Sequence, residues 1–169
     1  MKLKTFIKPE EIKKRIKNLT SQILKDFKNE IYIIGVLKGS FVFLSDLIRE
    51  FPQDKKVILD FIQVKSYQKD RKGNIEFVKD ITIDIKNKEI LLVDDIFDTG
   101  ETLKFLIDHL KKNKPKSIKL CTLLYKFQNR KVNLRPDYYG FKIPNYFVVG
   151  YGLDYDENYR HLPFIAYFE

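Results

Sequence analysis

The sequence predicts an α/β fold with a mostly parallel, twisted sheet flanked by helices. Segments typical of strands alternate with segments typical of helices, and several of the strand segments are apolar throughout. Such strands are buried on both faces, as they are in a parallel sheet covered by helices. The chain has 169 residues and 44% hydrophobic content, which suits one core, so we expect a single domain over 1–169.

The spacing of the apolar residues predicts the individual elements. Steps of three and four residues indicate a helix, and alternation or a short unbroken apolar run indicates a strand. The polar segment 68–74 indicates a loop. In chain order we predict a helix from Ile12 to Phe27, a strand over 31–37, a helix over 41–50, strands over 56–67, 75–85 and 89–93, a helix over 101–112, a strand over 117–125 and a late strand over 146–150.

Nothing in the sequence predicts a membrane span or a secretory signal. The longest apolar stretch, 31–37, is far shorter than the roughly 20 residues that a helix needs to cross a bilayer. The first residues also lack the apolar centre of a signal peptide. We therefore expect a cytoplasmic protein without a membrane partner.

The net charge of +9 is compatible with two kinds of partner. Almost all of the excess is lysine, and it is spread along the chain. General composition explains that distribution as well as a nucleic-acid surface would. A small substrate that carries phosphate groups would also be attracted by this charge.

The stretch 89–103, "EILLVDDIFDTGETL", has the composition of a binding site. An apolar strand leads into Asp94 and Asp95, and a turn then leads into a helix. The backbone amides of Thr99 to Thr102 would point out of the helix N-terminus beside two hydroxyl groups, which makes a cradle for a phosphate. The two acids before it suit a metal ion or a sugar diol. A phosphorylated sugar would satisfy both halves.

Other interpretations explain less of this stretch. Asp98 and Thr99 are common helix caps, but capping accounts for only one or two of the polar residues. The glycine patterns of P-loops and dinucleotide-binding turns are absent from the sequence. Receiver domains and aspartate-based phosphatases also have acids after a strand, but there the strand comes early in the chain.

The same residues resemble a known signature. "ILLVDDIFDTGETL" is similar to the phosphoribosyl pyrophosphate (PRPP) signature of the type I phosphoribosyltransferases. The segments "GVLKGSFVFLSDL" and "VKSYQ" and the tail that begins at 124 resemble the hypoxanthine-guanine branch of that family. The resemblance begins near residue 5 and follows the family's order and spacing.

The resemblance implies a fold, a reaction and a set of partners. The fold is the type I phosphoribosyltransferase fold, with a small hood built from about 1–10 and 140–169. The reaction belongs to purine salvage and transfers the 5-phosphoribosyl group from PRPP to hypoxanthine or guanine, which gives IMP or GMP and pyrophosphate. The resemblance further implies Mg²⁺ as cofactor, PRPP and a 6-oxopurine as substrates, and a homodimer or homotetramer.

The resemblance also assigns residues to PRPP. Asp94 and Asp95 contact the ribose hydroxyls and Mg²⁺, although the family usually has glutamate where this chain has Asp94. Lys38, Gly39 and Arg160 bind pyrophosphate, and the peptide bond before the lysine can be cis. The 5'-phosphate lies on the loop formed by Asp98, Thr99, Gly100, Glu101 and Thr102.

The remaining assignments concern the purine and the reaction. Phe147 stacks on the base, the backbone of Val148 reads its edge, and Lys126 donates to its exocyclic oxygen. Asp154 lies at the purine end as the second Mg²⁺ contact, and Asp98 is the general base. A flexible lid over the site includes Ser66 and Tyr67.

Two alternatives stay open on the sequence. A PRPP-binding regulator of the same fold would bind nucleic acid, but this chain has no added nucleic-acid domain and retains Asp98, Lys126 and Arg160. An adenine or pyrimidine transferase is disfavoured by the purine end of the tail. We therefore expect no nucleic-acid partner.

Overall fold

A six-stranded sheet forms the centre of the protein. The structure is a computed structural model, and it describes residues 2–67 and 74–169, without the side chains of Ser66 and Tyr67. The elements are β1 (Leu3–Ile7), α1 (Pro9–Asp26), β2 (Ile31–Leu37), α2 (Phe41–Arg49), β3 (Val57–Tyr67), β4 (Asn74–Lys79), β5 (Glu89–Phe97), α3 (Glu101–Lys111), β6 (Ser117–Tyr125), β7 (Tyr138–Lys142), β8 (Val148–Val149) and β9 (Ile165–Phe168).

The strand order of the central sheet is β4-β3-β2-β5-β6-β7. Within this order, each strand from β3 through β2, β5 and β6 to β7 is parallel to its neighbour. Strand β4 pairs antiparallel with β3 at one edge. This confirms the predicted mostly parallel sheet. The carboxyl ends of β2, β5 and β6 lie side by side, which is where ligands bind in sheets of this kind.

Helices cover both faces of this sheet because successive residues of the strands point to opposite sides. In β5, Leu91 and Val93 pack in the core under α1 and α2, whereas Ile90 and Leu92 pack in the core under α3. All four side chains are fully buried. The strand that carries the acids is therefore fixed on both sides by apolar contacts.

A second, three-stranded sheet has the antiparallel order β1-β9-β8. It joins the two ends of the chain, since Leu3 pairs with Phe168 and Val148 pairs with Tyr167. None of the helices in residues 2–67 and 74–169 has the length and apolar content needed to cross a membrane.

Most of the predicted elements are present, with four differences. The strand predicted over 75–85 ends at Lys79, because the amides of Thr82 and Ile83 donate to the carboxylate of Asp60 rather than to a neighbouring strand. The late strand is reduced to Val148–Val149. The short strands β1, β7 and β9 were not predicted. Strand β5 is longer than predicted, as described below.

Candidate active site

Asp94 and Asp95 lie within β5 rather than after it. The prediction ended this strand at Val93, but pairing with β6 continues, and Ile96 and Phe97 lie opposite Leu124 and Tyr125. The pairing fixes the backbone of both acids. Their side chains leave the strand near its carboxyl end and are partly buried.

The two acids have few partners in the described part of the chain. The amide of Asp95 donates to Oδ1 of Asp94 at 2.8 Å, and the amide of Ile96 donates to Oδ1 of Asp95 at 2.7 Å. Neither carboxylate forms a salt bridge with a lysine, arginine or histidine in residues 2–67 and 74–169. Burial raises the pKa of Asp94 well above its ordinary value, and the charge of Asp95 raises it further. Burial likewise raises the pKa of Asp95.

The turn and helix start in which a phosphate cradle is predicted are present at the beginning of α3. Gly100 precedes the helix with a φ of 85°, and a Cβ there would lie 2.4 Å from the Cζ atom of Phe97. Only glycine suits both the left-handed backbone and the close contact. The turn directs the first amides of α3 outward, with the partly buried side chains of Thr99 and Thr102 beside them and Glu101 exposed.

Asp98 lies in the same turn, and two side chains from the loop after β6 donate to its carboxylate. Lys126 Nζ lies 3.2 Å from Oδ2 of Asp98, and Asn129 Nδ2 donates to Oδ1 at 2.8 Å. The Lys126 side chain is 9% exposed, whereas that of Asp98 is 44% exposed. Sequence reasoning missed Asn129, because a single asparagine in a polar loop gives no signal of this contact.

The loop after β2 lies against the acid pair. The peptide bond between Leu37 and Lys38 is cis, as the resemblance implied. A Cβ at Gly39 would lie only 1.9 Å from Oδ2 of Asp95, so this position accepts no side chain without moving the carboxylate. The loop and the acids therefore share one surface.

Two cations from distant parts of the chain meet at this surface through Glu157. Lys38 Nζ lies 3.0 Å from Oε2 of Glu157, and Arg160 Nη2 lies 3.2 Å from Oε1. The hydrogen bond from Lys38 lowers the pKa of Glu157. Sequence reasoning missed Glu157, whose partner Lys38 is 119 residues away.

Arg160 is also bound to Asp154 and to the backbone. Its Nη1 lies 3.2 Å from Oδ1 of Asp154 and donates to the carbonyl of Gly152 at 2.8 Å. Its Nε is buried and has no hydrogen-bond partner in the described residues. An unpaired buried donor of this kind suits an anionic ligand.

Two of the residues predicted to bind the purine, Phe147 and Val148, lie next to each other at the start of β8. Phe147 is 58% exposed and contacts Tyr155 edge to face at 5.6 Å, whereas Val148 is buried in β8. Asn145, two residues before Phe147, accepts a hydrogen bond from Asn129 at 2.7 Å. Since Asn129 also binds Asp98, this contact joins the segment that carries Phe147 to the turn that carries Asp98.

The predicted lid is only partly within the described residues. The backbone of Ser66 and Tyr67 ends β3 opposite Ile75 and Asn74. The segment 68–73, to which the lid prediction extends, lies outside the described residues.

The acid pair fits a hard divalent cation by its chemistry. No group of three or more His, Cys, Asp or Glu side chains in residues 2–67 and 74–169 could hold a metal by itself. Mg²⁺ is commonly bound by one or two carboxylates, with water and substrate oxygens as its other ligands. Two adjacent carboxylates that form no salt bridge within the described residues match that pattern.

Comparisons with known proteins show which family the chain resembles. A family model described as a phosphoribosyl transferase domain matches residues 5–156. The chain is 48% identical over 166 residues to the hypoxanthine-guanine phosphoribosyltransferase of Aquifex aeolicus, covering 96% of this chain and 92% of that protein. It is 41% identical over 169 residues to the hypoxanthine phosphoribosyltransferase of Buchnera aphidicola, covering 97% of this chain and 94% of that protein.

A solved structure gives the same result for the fold. The crystal structure of a hypoxanthine-guanine phosphoribosyltransferase from Bacillus anthracis matches this chain with a TM-score of 0.93 and 47% sequence identity. The match covers 98% of each chain.

Proposed function

The chain belongs to the phosphoribosyltransferase family, and we infer that it is a hypoxanthine-guanine phosphoribosyltransferase of purine salvage. It transfers the 5-phosphoribosyl group of PRPP to hypoxanthine, guanine or both. The observation that carries the proposal is the acid pair, which forms no salt bridge within the described residues, next to the first turn of α3 with its outward amides. Relatives of that name at 40% identity or more over nearly the whole chain support the same reaction.

We propose that the phosphorylated sugar lies along the carboxyl end of β5. The cradle of Thr99, Gly100, Glu101 and Thr102 would hold the 5'-phosphate through backbone amides and hydroxyl groups. Asp94 and Asp95 would bind the ribose hydroxyls and Mg²⁺. When bound, Mg²⁺ neutralises the negative charge that pyrophosphate gains as it leaves.

The pyrophosphate site would combine the loop after β2 with the tail. Lys38 and Arg160 supply positive charge, and the amide of Gly39 reaches the ligand because this residue has no side chain. Glu157 now binds both cations. A pyrophosphate group that binds them would compete with this carboxylate. Asp154, which is bound to Arg160, would be the second contact for Mg²⁺.

The purine site would lie between the tail and Lys126. Phe147 would stack on the base and the backbone of Val148 would bind its edge. Lys126 would donate to the exocyclic oxygen of a 6-oxopurine. Adenine has an amino group at that position, so its binding would leave an N–H of the buried ammonium group without an acceptor.

The reaction would exchange one bond at the anomeric carbon for another. The bond from this carbon to a pyrophosphate oxygen breaks, and a bond to a purine ring nitrogen forms. Asp98 would accept the proton that the nitrogen loses, as a general base. The loop that begins at Ser66 and Tyr67 would cover the site and exclude water.

Further parts of the proposal concern the whole chain. We propose a single domain over 1–169 in which the sheet of β1, β8 and β9 acts as the hood. We also propose a homodimer or homotetramer. Because multiply charged substrates do not cross a bilayer, we propose a cytoplasmic location.

Product formation tests the proposed reaction. The purified protein is incubated with PRPP, Mg²⁺ and one base at a time (hypoxanthine, guanine, xanthine, adenine or uracil), and nucleotides are separated by chromatography. Magnesium-dependent formation of IMP or GMP is the expected result. Binding of PRPP without a nucleotide product from any base would contradict the enzyme and favour a regulator.

A further inference from the structure

We propose that Asn129 is a positioning residue that fixes the orientation of the Asp98 carboxylate and couples it to the purine end of the site. The inference rests on the proposed function, in which Asp98 is the general base. It concerns a residue to which the resemblance assigns no role.

The first argument is that two backbone hydrogen bonds hold the loop after β6 against the Asp98 turn. The amide of Lys126 donates to the carbonyl of Phe97 at 2.9 Å, and the amide of Lys131 donates to the carbonyl of Thr99 at 2.9 Å. Asn129 lies between these two backbone contacts, and its side chain binds Asp98 between them. The backbone contacts therefore hold Asn129 in place opposite the carboxylate.

The second argument is that each oxygen of the Asp98 carboxylate accepts a hydrogen bond from a different side chain. Lys126 Nζ binds Oδ2 of Asp98 at 3.2 Å, and Asn129 Nδ2 binds Oδ1 at 2.8 Å. One donor on each oxygen fixes the rotation of the carboxylate about its terminal bond. Each oxygen still has a second lone pair, so a proton can be accepted in a defined direction.

The third argument is that the second N–H of the Asn129 side chain binds the segment that carries Phe147. Nδ2 also donates to Oδ1 of Asn145 at 2.7 Å. Asn145 lies two residues before Phe147, which the proposed function places against the base. One amide group therefore joins the group that accepts the proton to the loop that holds the purine.

A general base must be aligned with the proton that it accepts, and the Asp98 side chain is 44% exposed. At that exposure, packing alone does not fix its orientation. Asn129 supplies the constraint that burial does not. The expected result of losing it is a slower chemical step rather than weaker PRPP binding.

The test compares Asn129→Ala with Asn133→Ala. Asn133 is exposed in the same loop, and its side chain forms no hydrogen bond within the described residues. We expect kcat about 10-fold lower in Asn129→Ala, a higher KM for hypoxanthine, and a KM for PRPP changed by less than about twofold. Asn133→Ala should retain the parental kcat, and the Tm of both variants should stay within about 2 °C of the parent.

A double-mutant cycle separates positioning from a general structural effect. In the Asp98→Asn background, we expect Asn129→Ala to lower kcat by less than about twofold, because the carboxylate that it orients is gone. The same loss in both backgrounds, or a parental kcat in Asn129→Ala, would overturn this inference alone. An inactive parent, or Asp98→Asn with the parental kcat, would contradict the proposed function and this inference with it.

Discussion

Two acidic sites in the central sheet, Asp60 on β3 and the Asp94–Asp95 pair on β5, differ in how their charge is neutralised. Asp60 accepts from Lys79 Nζ at 2.9 Å and from the amides of Thr82 and Phe61 at 2.6 and 2.7 Å. Burial raises the pKa of Asp60, yet these hydrogen bonds lower it to about 2. The charge of Asp60 is therefore satisfied within the chain.

Asp94 and Asp95 have the opposite environment. Each accepts one backbone amide, and the two like charges adjoin each other. Burial raises the pKa of both carboxyl groups, so their charged forms are disfavoured in the protein alone. A buried acid that has a salt bridge and several hydrogen bonds within the chain stabilises the fold. An acid pair with one amide each and no salt bridge in the described residues retains the capacity to bind a ligand.

Two lysines that contact acids, Lys79 at Asp60 and Lys126 at Asp98, show a similar contrast. Lys79 Nζ donates to Asp60, to the carbonyl of Phe61 and to the carbonyl of Asp80, which uses all three of its N–H groups. Lys126 Nζ has one partner, Asp98, among the residues that the structure describes. Lys126 therefore keeps donors for a substrate, and Lys79 does not.

The largest effect is expected at Asp98, whose carboxylate accepts two hydrogen bonds from side chains but remains partly exposed. Asp98→Asn should lower kcat by about 10²–10⁴-fold, because the amide cannot accept the purine proton, and PRPP binding should be nearly unchanged. Steady-state kinetics and calorimetric PRPP titration measure the two quantities. Asp54→Asn removes an exposed charge as the control. An Asp98→Asn enzyme with the parental kcat would show that another group accepts the proton.

The next effect tests the free donors of Lys126. Lys126→Ala should lower kcat/KM for hypoxanthine by about 100-fold and lower any adenine activity by a smaller factor, because only the 6-oxo group accepts its hydrogen bond, whereas loss of the contact with Asp98 affects both bases. Competition between the two bases measures the preference directly. Lys126→Met preserves the volume of the buried stem and should behave like the alanine variant. A variant with the parental preference would mean that Lys126 does not read the base.

Asp60→Asn should change stability rather than catalysis. The pKa of Asp60 is lowered in the folded protein, so its charge stabilises the fold above pH about 4 and that contribution is lost as the pH falls towards about 2. The variant should lose about 2 kcal/mol of unfolding free energy at pH 7 and show a smaller loss on acidification. Urea unfolding across pH measures this, with kcat as the control. Equal stability of parent and variant at pH 7 would refute the structural role of Asp60.

The smallest effect has the opposite sign. Asp94→Asn should raise the unfolding free energy by about 1 kcal/mol at pH 7 in the absence of ligand, because it removes a charge that burial and Asp95 disfavour. The same variant should bind PRPP more weakly in Mg²⁺. Urea unfolding without ligand measures the first change. A less stable variant would indicate that the acid pair is already neutralised.

The sequence predicted the local geometry around β5 better than that of the tail, because the β5 elements are consecutive in the chain. An apolar strand, two acids, a glycine turn and a helix start follow one another over 89–103, and local rules predict their geometry. The tail depends on distant contacts, such as that between Lys38 and Glu157 across 119 residues. Its roles came from the resemblance alone. The strand predicted over 75–85 was too long for the same reason: the Asp60 carboxylate that binds Thr82 belongs to another strand.

The central claim is that Asp94 and Asp95, which form no salt bridge within the described residues, bind the substrate with a metal ion. Calorimetric titration of PRPP with and without Mg²⁺, on the parent, Asp95→Asn and Asp60→Asn, tests it most directly. We expect magnesium-dependent binding in the parent and in Asp60→Asn, and binding weaker by about 10-fold or more in Asp95→Asn. Binding that does not depend on Mg²⁺, or parental affinity in Asp95→Asn, would contradict the claim.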